Sequence, residues 1–215
     1  MSPLESSAAT GARYYYPNRM GRVLLQSIED VVGRGGLWAV LKTADLPHYG
    51  RGLPPSNLDK KFPFEDVSAL AAGIDLIYGP RGGRAVALRV GRVSMRYGLY
   101  EFGPVLGISD LTARLLPWSI KLVQGAEALA DLFNQFSDQV VQFEDQPERL
   151  LWHVERCPVC WGRKLEQPRD FLTIGLLQES LLWLSGGRTF TVEQTACRAM
   201  GYPRCTFVID KNPLT

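Results

Sequence analysis

Histidine is scarce in this 215-residue chain, at two residues, His48 and His153, and cysteine is confined to four. With so few imidazoles, a histidine-based catalytic dyad has no nucleophile and orienting acid that the sequence can pair with it. An excess of one charge is also missing. The 24 basic side chains stand against 22 acidic ones, a net charge of +2, so direct nucleic-acid binding is not expected. Long apolar runs are absent too. The most apolar stretch, 171–184, is interrupted by Thr173, Gln178, Glu179 and Ser180, which predicts a buried helix and no membrane span. There is no phosphate-cradling loop: Gly79-Pro80-Arg81-Gly82-Gly83 lacks the Lys-Ser/Thr ending and a preceding apolar strand, leaving nicotinamide and flavin sites unsupported. The first dozen residues lack the charged start and apolar middle of a secretory signal. We expect a disordered tail over 1–13 and a cytoplasmic, reducing setting.

Apolar residues make up 46% of the chain and charged residues 21%, an ordinary globular balance. A single domain over 14–211 is expected. Val23, Leu24, Ile28, Val31 and Val32 recur at helical spacing up to Gly33, and a short helix is expected over 37–43. The stretch 47–63, rich in Pro and Gly, reads as a long loop. Helices are then expected over 64–78, ended by Gly79-Pro80, over 84–98, and over 111–136 with Pro117 bending or splitting the last. In the second of these, Ala87, Gly91 and Gly98 share a small face suited to close backbone packing. Arg89, Arg92 and Arg96 share another, which reads as a solvated face or a carboxylate site.

After 139 the period changes to two. Val141 and Phe143, then Leu150, Trp152 and Val154, alternate on either side of a short turn and predict a hairpin, and 189–197 with 205–209 predict a second. Consecutive hairpins favour an α+β fold, an antiparallel sheet with helices packed on it and a mainly helical N-terminal half.

Cys157 and Cys160 form a C-x-x-C knuckle just past a predicted strand, and Cys197 and Cys205 flank the turn of the second hairpin. Two residues between thiols let one turn present both sulfurs to one ion, and the other two can converge across the hairpin. A closed four-thiolate site would hold a structural zinc and leave no position for catalysis. A redox pair, inert buried thiols, two disulfides and iron–sulfur ligation are the other readings of these residues.

The stretch Cys157-Pro158-Val159-Cys160-Trp161-Gly162, the run Phe171 to Gly175, and the segment from Val192 through Cys197, Gly201 and Cys205 to Ile209 together resemble the 4-vinyl reductase domain, also called the hydrocarbon-binding domain. The resemblance implies an antiparallel sheet and helices related to the haem-type nitric oxide sensor fold, enclosing an apolar pocket. Similar proteins include sensory domains of activators that detect phenols and related aromatics, a protein tied to bacteriochlorophyll synthesis, and stand-alone archaeal proteins. Several carry a structural zinc near the pocket. In the aromatic-sensing branch one zinc ligand is a glutamate at the position of Gln194, and another is a cysteine near Asp170 or Phe171. This sequence departs from both, so its ligand set is expected to be Cys157, Cys160, Cys197 and Cys205.

Trp118, Phe143, Trp152, His153, Phe171 and Trp183 are candidate pocket residues, although aromatics of this kind also fill cores. The expected function is binding of a hydrophobic or aromatic small molecule, including a tetrapyrrole, by a homodimer. The alternative is an enzyme or accessory subunit of bacteriochlorophyll synthesis acting on a chlorophyllide vinyl group. A structural adaptor that dimerises through its helices is a third reading.

Overall fold

The computed structural model describes residues 13–103 and 116–214. The expected tail, apart from Arg13, and the first residues of the 111–136 helix lie outside the described residues. Strand β1 (Tyr15–Pro17) leads into helix α1 (Asn18–Thr43). A single 3-10 turn, Pro47–Gly50, and strand β2 (Lys60–Pro63) precede helix α2 (Phe64–Phe102). Helix α3 (Trp118–Phe136), the hairpin β3 (Val141–Asp145) and β4 (Arg149–Val154), helix α4 (Phe171–Leu184), and strands β5 (Val192–Ala196) and β6 (Cys205–Asp210) complete the order.

The pairs of helices expected over 23–32 and 37–43, and over 64–78 and 84–98, are each continuous through one break. Gly33 (φ 75°, ψ 168°) and Gly79 (φ 68°, ψ −179°) leave helical geometry for a single residue, after which the helix resumes. Only glycine enters that region of backbone space without strain. Pro80 follows the second break, where its missing N–H costs nothing. Pro117, expected to bend or split a helix, sits instead at the start of α3 as its N-terminal cap residue.

The segment 47–63 is not a bare loop. Its last residues pair with β1, Tyr15 opposite Pro63 and Tyr16 opposite Phe62, while Phe62 is buried and Lys60 reaches Asp138 at 2.9 Å. A strand this short, carrying two lysines, shows no alternation that could mark it in the sequence.

The main sheet is antiparallel in the order β3-β4-β6-β5. Leu150, Trp152 and Val154 of β4 and Cys205, Phe207 and Ile209 of β6 are buried, in agreement with the predicted alternation. Helices α2 and α4 cross in direct backbone contact: a methyl group at Gly91 would collide with the Leu172 carbonyl, and one at Gly175 with that of Leu88. Two arginines of the predicted stripe fasten the same crossing. Arg92 donates to Gln178 at 2.8 Å and Arg96 to the buried Glu179 at 2.6 Å. Gly98, expected to share the close-packed face, meets no neighbour within 4 Å of a Cβ position.

Candidate metal centre and apolar cavity

All four cysteines are buried. Cys157 and Cys160 follow the end of β4, Cys205 opens β6 opposite Val154, and Cys197 comes just after β5. The Sγ atoms of Cys157, Cys160 and Cys205 lie within 4.8 Å of one another, and Cys160 Sγ is 3.3 Å from Cys197 Sγ. Tetrahedral zinc with bonds of ~2.3 Å places sulfurs ~3.8 Å apart, so Cys157, Cys160 and Cys205 suit one ion, while Cys197 stands outside that group and adjoins it through Cys160. The Arg198 N–H donates to Cys205 Sγ at 3.3 Å, the kind of outer hydrogen bond that steadies a thiolate. A cleft of about 310 Å³, lined by Trp161, Gly162, Arg163 and Arg198, opens onto Cys157 and Cys160 and gives an ion a way in.

The electrostatics of the cluster are uneven. Hydrogen bonds from Cys157, Cys160 and Cys197 pull the Cys205 thiol far below its ordinary value. Hydrogen bonding to Cys157, Cys197 and Cys205, together with burial, pushes Cys160 far up. One thiolate is therefore tolerated and further negative charge is resisted, a balance that a bound dication reverses because coordinating thiols are deprotonated outright.

Asp170 adjoins the cluster. Cys157 Sγ is 3.3 Å from its Oδ2, Thr173 donates through its backbone N at 2.9 Å and its hydroxyl at 2.8 Å, and the Asp170 N–H donates to Gln194 Oε1 at 3.0 Å. Burial pushes this carboxyl up to about 6, against the pull of the Thr173 N–H. Of the positions at which the resemblance puts other ligand types, Gln194 and Asp170 or Phe171, Asp170 touches Cys157 and is bonded to Gln194. Glu193 is exposed.

The second feature is an apolar cavity of about 80 Å³. Met20, Val23 and Leu24 line it from α1; Val67, Ser94, Met95, Gly98 and Phe102 from α2; Leu129, Leu132 and Phe133 from α3; Leu172 and Leu176 from α4. Tyr16 closes one side and donates to Gln139 at 2.9 Å. Burial, with the nearby Cys157 and Asp170, holds the Tyr16 phenol neutral, so this ring borders both the cavity and the metal-competent cluster.

The sequence-predicted pocket residues do not converge on this space, and none of the six lines it. Trp152 is buried behind it, edge-on to Phe133 at 6.3 Å. Trp118 stands 6.0 Å from the Phe190 ring, Phe143 pairs with Trp152 across the hairpin, and Phe171 lies under the Arg84 guanidinium. Trp183 is 45% exposed beside a separate space of about 50 Å³ next to Gly125. His153 is buried on β4, with Nδ1 3.0 Å from the Thr206 hydroxyl and Nε2 3.7 Å from Glu144. Burial, then the charge of Arg204, lowers its pKa. The cavity's own residues come from β1 and from four helices far apart in sequence; Val23 and Leu24 carried a helical period and Gly98 a small face, but neither signal marks a pocket.

No family model matches the sequence, and neither does any curated protein. Solved structures do match. An H-NOX protein from S. oneidensis in the Fe(II)NO ligation state aligns with a TM-score of 0.59 over 90% of this chain and 99% of its own, at 10% identity. A structure from work on heme distortion in the H-NOX family gives 0.59 over 93% and 97%, at 13% identity. A mutant Fe(II) unliganded H-NOX protein from K. algicida gives 0.55 over 91% and 96%, also at 13% identity. This chain has the H-NOX fold. It is the α+β, antiparallel-sheet architecture that the sequence led us to expect.

At these identities the likeness concerns architecture, and the haem of the H-NOX family must be tested against the residues present. They do not fit it. Among the described residues, neither histidine lines the cavity, the cysteines lie outside its lining, and Tyr16 already has a hydrogen-bond partner. A space of about 80 Å³ is smaller than the ~150 Å³ engineered cavity that takes up one benzene ring, and a tetrapyrrole has four rings. Among the described residues no helix is long and apolar enough to cross a membrane.

Proposed function

We propose that the protein is a binding module for a compact hydrophobic molecule, held in the cavity among α1, α2, α3 and α4, with a structural zinc on Cys157, Cys160, Cys197 and Cys205 at the end of the sheet. The observation that carries this reading is the cavity: about 80 Å³ of space with an almost wholly apolar lining. Two methionines in the wall, Met20 and Met95, can adapt to ligands of different shape. Trp152 backs the wall through Phe133, and Trp183 flanks the neighbouring space.

The zinc rests on donor chemistry and spacing: the buried sulfurs of Cys157, Cys160 and Cys205 lie within 4.8 Å of one another, and Cys197 adjoins them through Cys160 at 3.3 Å as the proposed fourth ligand. The metal would hold Cys157 and Cys160 against β6 and so fix the chain that leads into α4. The resemblance to the 4-vinyl reductase domain supports the same pairing of a metal with an apolar pocket. A tetrapyrrole ligand and a reaction on a chlorophyllide vinyl group fall away from this proposal because of the cavity's size.

Thermal denaturation with hydrocarbons of three to five carbons tests the binding, and metal analysis of the purified protein tests the zinc. A rise in Tm that saturates with ligand, and close to one zinc per chain, are the expected results. No stabilisation by any compact apolar compound would end the binding proposal.

A further inference from the structure

The structure assigns to Ser94 the role of a specificity-determining residue: it reads a single hydroxyl on an otherwise apolar ligand in the helical cavity. This rests on the cavity being a ligand site. Inside a helix a serine hydroxyl usually satisfies itself on the carbonyl four residues back. Ser27 does so on Val23 at 2.7 Å and Ser180 on Leu176 at 2.8 Å, while Ser68 donates to the Trp161 carbonyl at 2.7 Å. Ser94, in mid-α2 and 9% exposed, lines the cavity, and among the described residues its buried Oγ has no hydrogen-bond partner.

A buried hydroxyl without a partner is costly, and alanine would serve this helix better. Water is a poor partner here. A buried water needs two to four polar contacts, and among the described residues the remaining lining consists of methionines, leucines, valines, glycine and aromatics, with the Tyr16 hydroxyl already committed to Gln139. An apolar ligand with one hydroxyl satisfies Ser94 and fills the rest of the space by dispersion. The ligand class is therefore a compact, monohydroxylated hydrocarbon, with the Ser94 hydroxyl as donor or acceptor.

The test uses a matched pair small enough for a space of about 80 Å³, propan-2-ol and 2-methylpropane, similar in shape but differing by a hydroxyl in place of a methyl group. NMR affinities for both are measured on the wild type and on Ser94→Ala. The ratio of the propan-2-ol affinity to that of 2-methylpropane is expected to fall by roughly five-fold in the variant, the worth of one buried hydrogen bond. The free variant should melt no lower than the wild type, since it loses an unsatisfied group. Binding of both compounds with an unchanged ratio would overturn the role of Ser94 and leave the cavity as a ligand site. Binding of neither compound by either protein would overturn the cavity reading, and the role of Ser94 with it.

Discussion

The sheet end with its cysteines and the helical layer with its cavity are two differently made sites. At the sheet end, chemistry is concentrated in a few residues whose spacing is local: a C-x-x-C turn, and two cysteines flanking the turn between β5 and β6. In the helical layer the lining comes from single side chains on four helices, and what matters is a volume left unfilled. A site made of donors is sensitive to the loss of one atom. A site made of space is sensitive to what is added.

The largest effect is expected from Cys160→Ala, which should abolish stoichiometric zinc and lower the melting temperature by about 10 °C or more, since binding energy at a structural metal is folding energy. Retention of zinc on three thiolates with unchanged stability would remove the metal from any structural role. Next in size is Gly91→Ala. The added methyl meets the Leu172 carbonyl, and forcing α2 and α4 apart should cost about 2 kcal/mol in a denaturant titration while leaving metal content intact. The opposite sign is expected at Gly98→Ala. There is open space for the methyl group and a helical backbone around it, so stability should rise by about 0.5–1 kcal/mol.

A smaller effect separates His153 from both sites. Its folded-state pKa is lowered, so the unfolded chain binds the proton more readily. Stability should be fully present above an ordinary histidine value of ~6.5 and decline as pH falls from there toward the lowered value. His153→Gln should weaken that decline in midpoints measured across pH 7.5 to 5, and an identical decline in the variant would show that other groups cause it. Last, Glu193→Gln should change neither zinc content nor stability, because the side chain points outward from β5.

The difference between the regions also decides what was legible beforehand. The hairpin β3–β4 and the strands β5 and β6 were readable because Leu150, Trp152 and Val154 alternate with side chains on the other face. The crossing of α2 and α4 was half readable: the small face of α2 announced a close approach, and Gly91 makes it, but the partner backbone at Leu172 and the open setting of Gly98 are tertiary facts. The breaks at Gly33 and Gly79 looked like helix ends because one left-handed glycine reads the same in sequence whether the helix stops or resumes. The pairing of β1 with β2 joins segments too short to show a period. The cysteines were legible as a set. The cavity was not, because a void has no residue of its own, and a mid-helix serine looks alike whether its hydroxyl is bonded or free.

Asp170 is a single side chain with two loyalties. Its carboxylate caps α4 through Thr173 and touches Cys157, while its N–H is held by Gln194 on β5. Leu172, in the first turn of that helix, and Leu176, one turn on, line the cavity. The start of α4 is therefore a shared pivot, touched by the cysteines on one side and by the cavity on the other. If an ion on the cysteines raised the affinity of a ligand in the cavity, linkage would require the ligand to raise the affinity of the ion by the same factor.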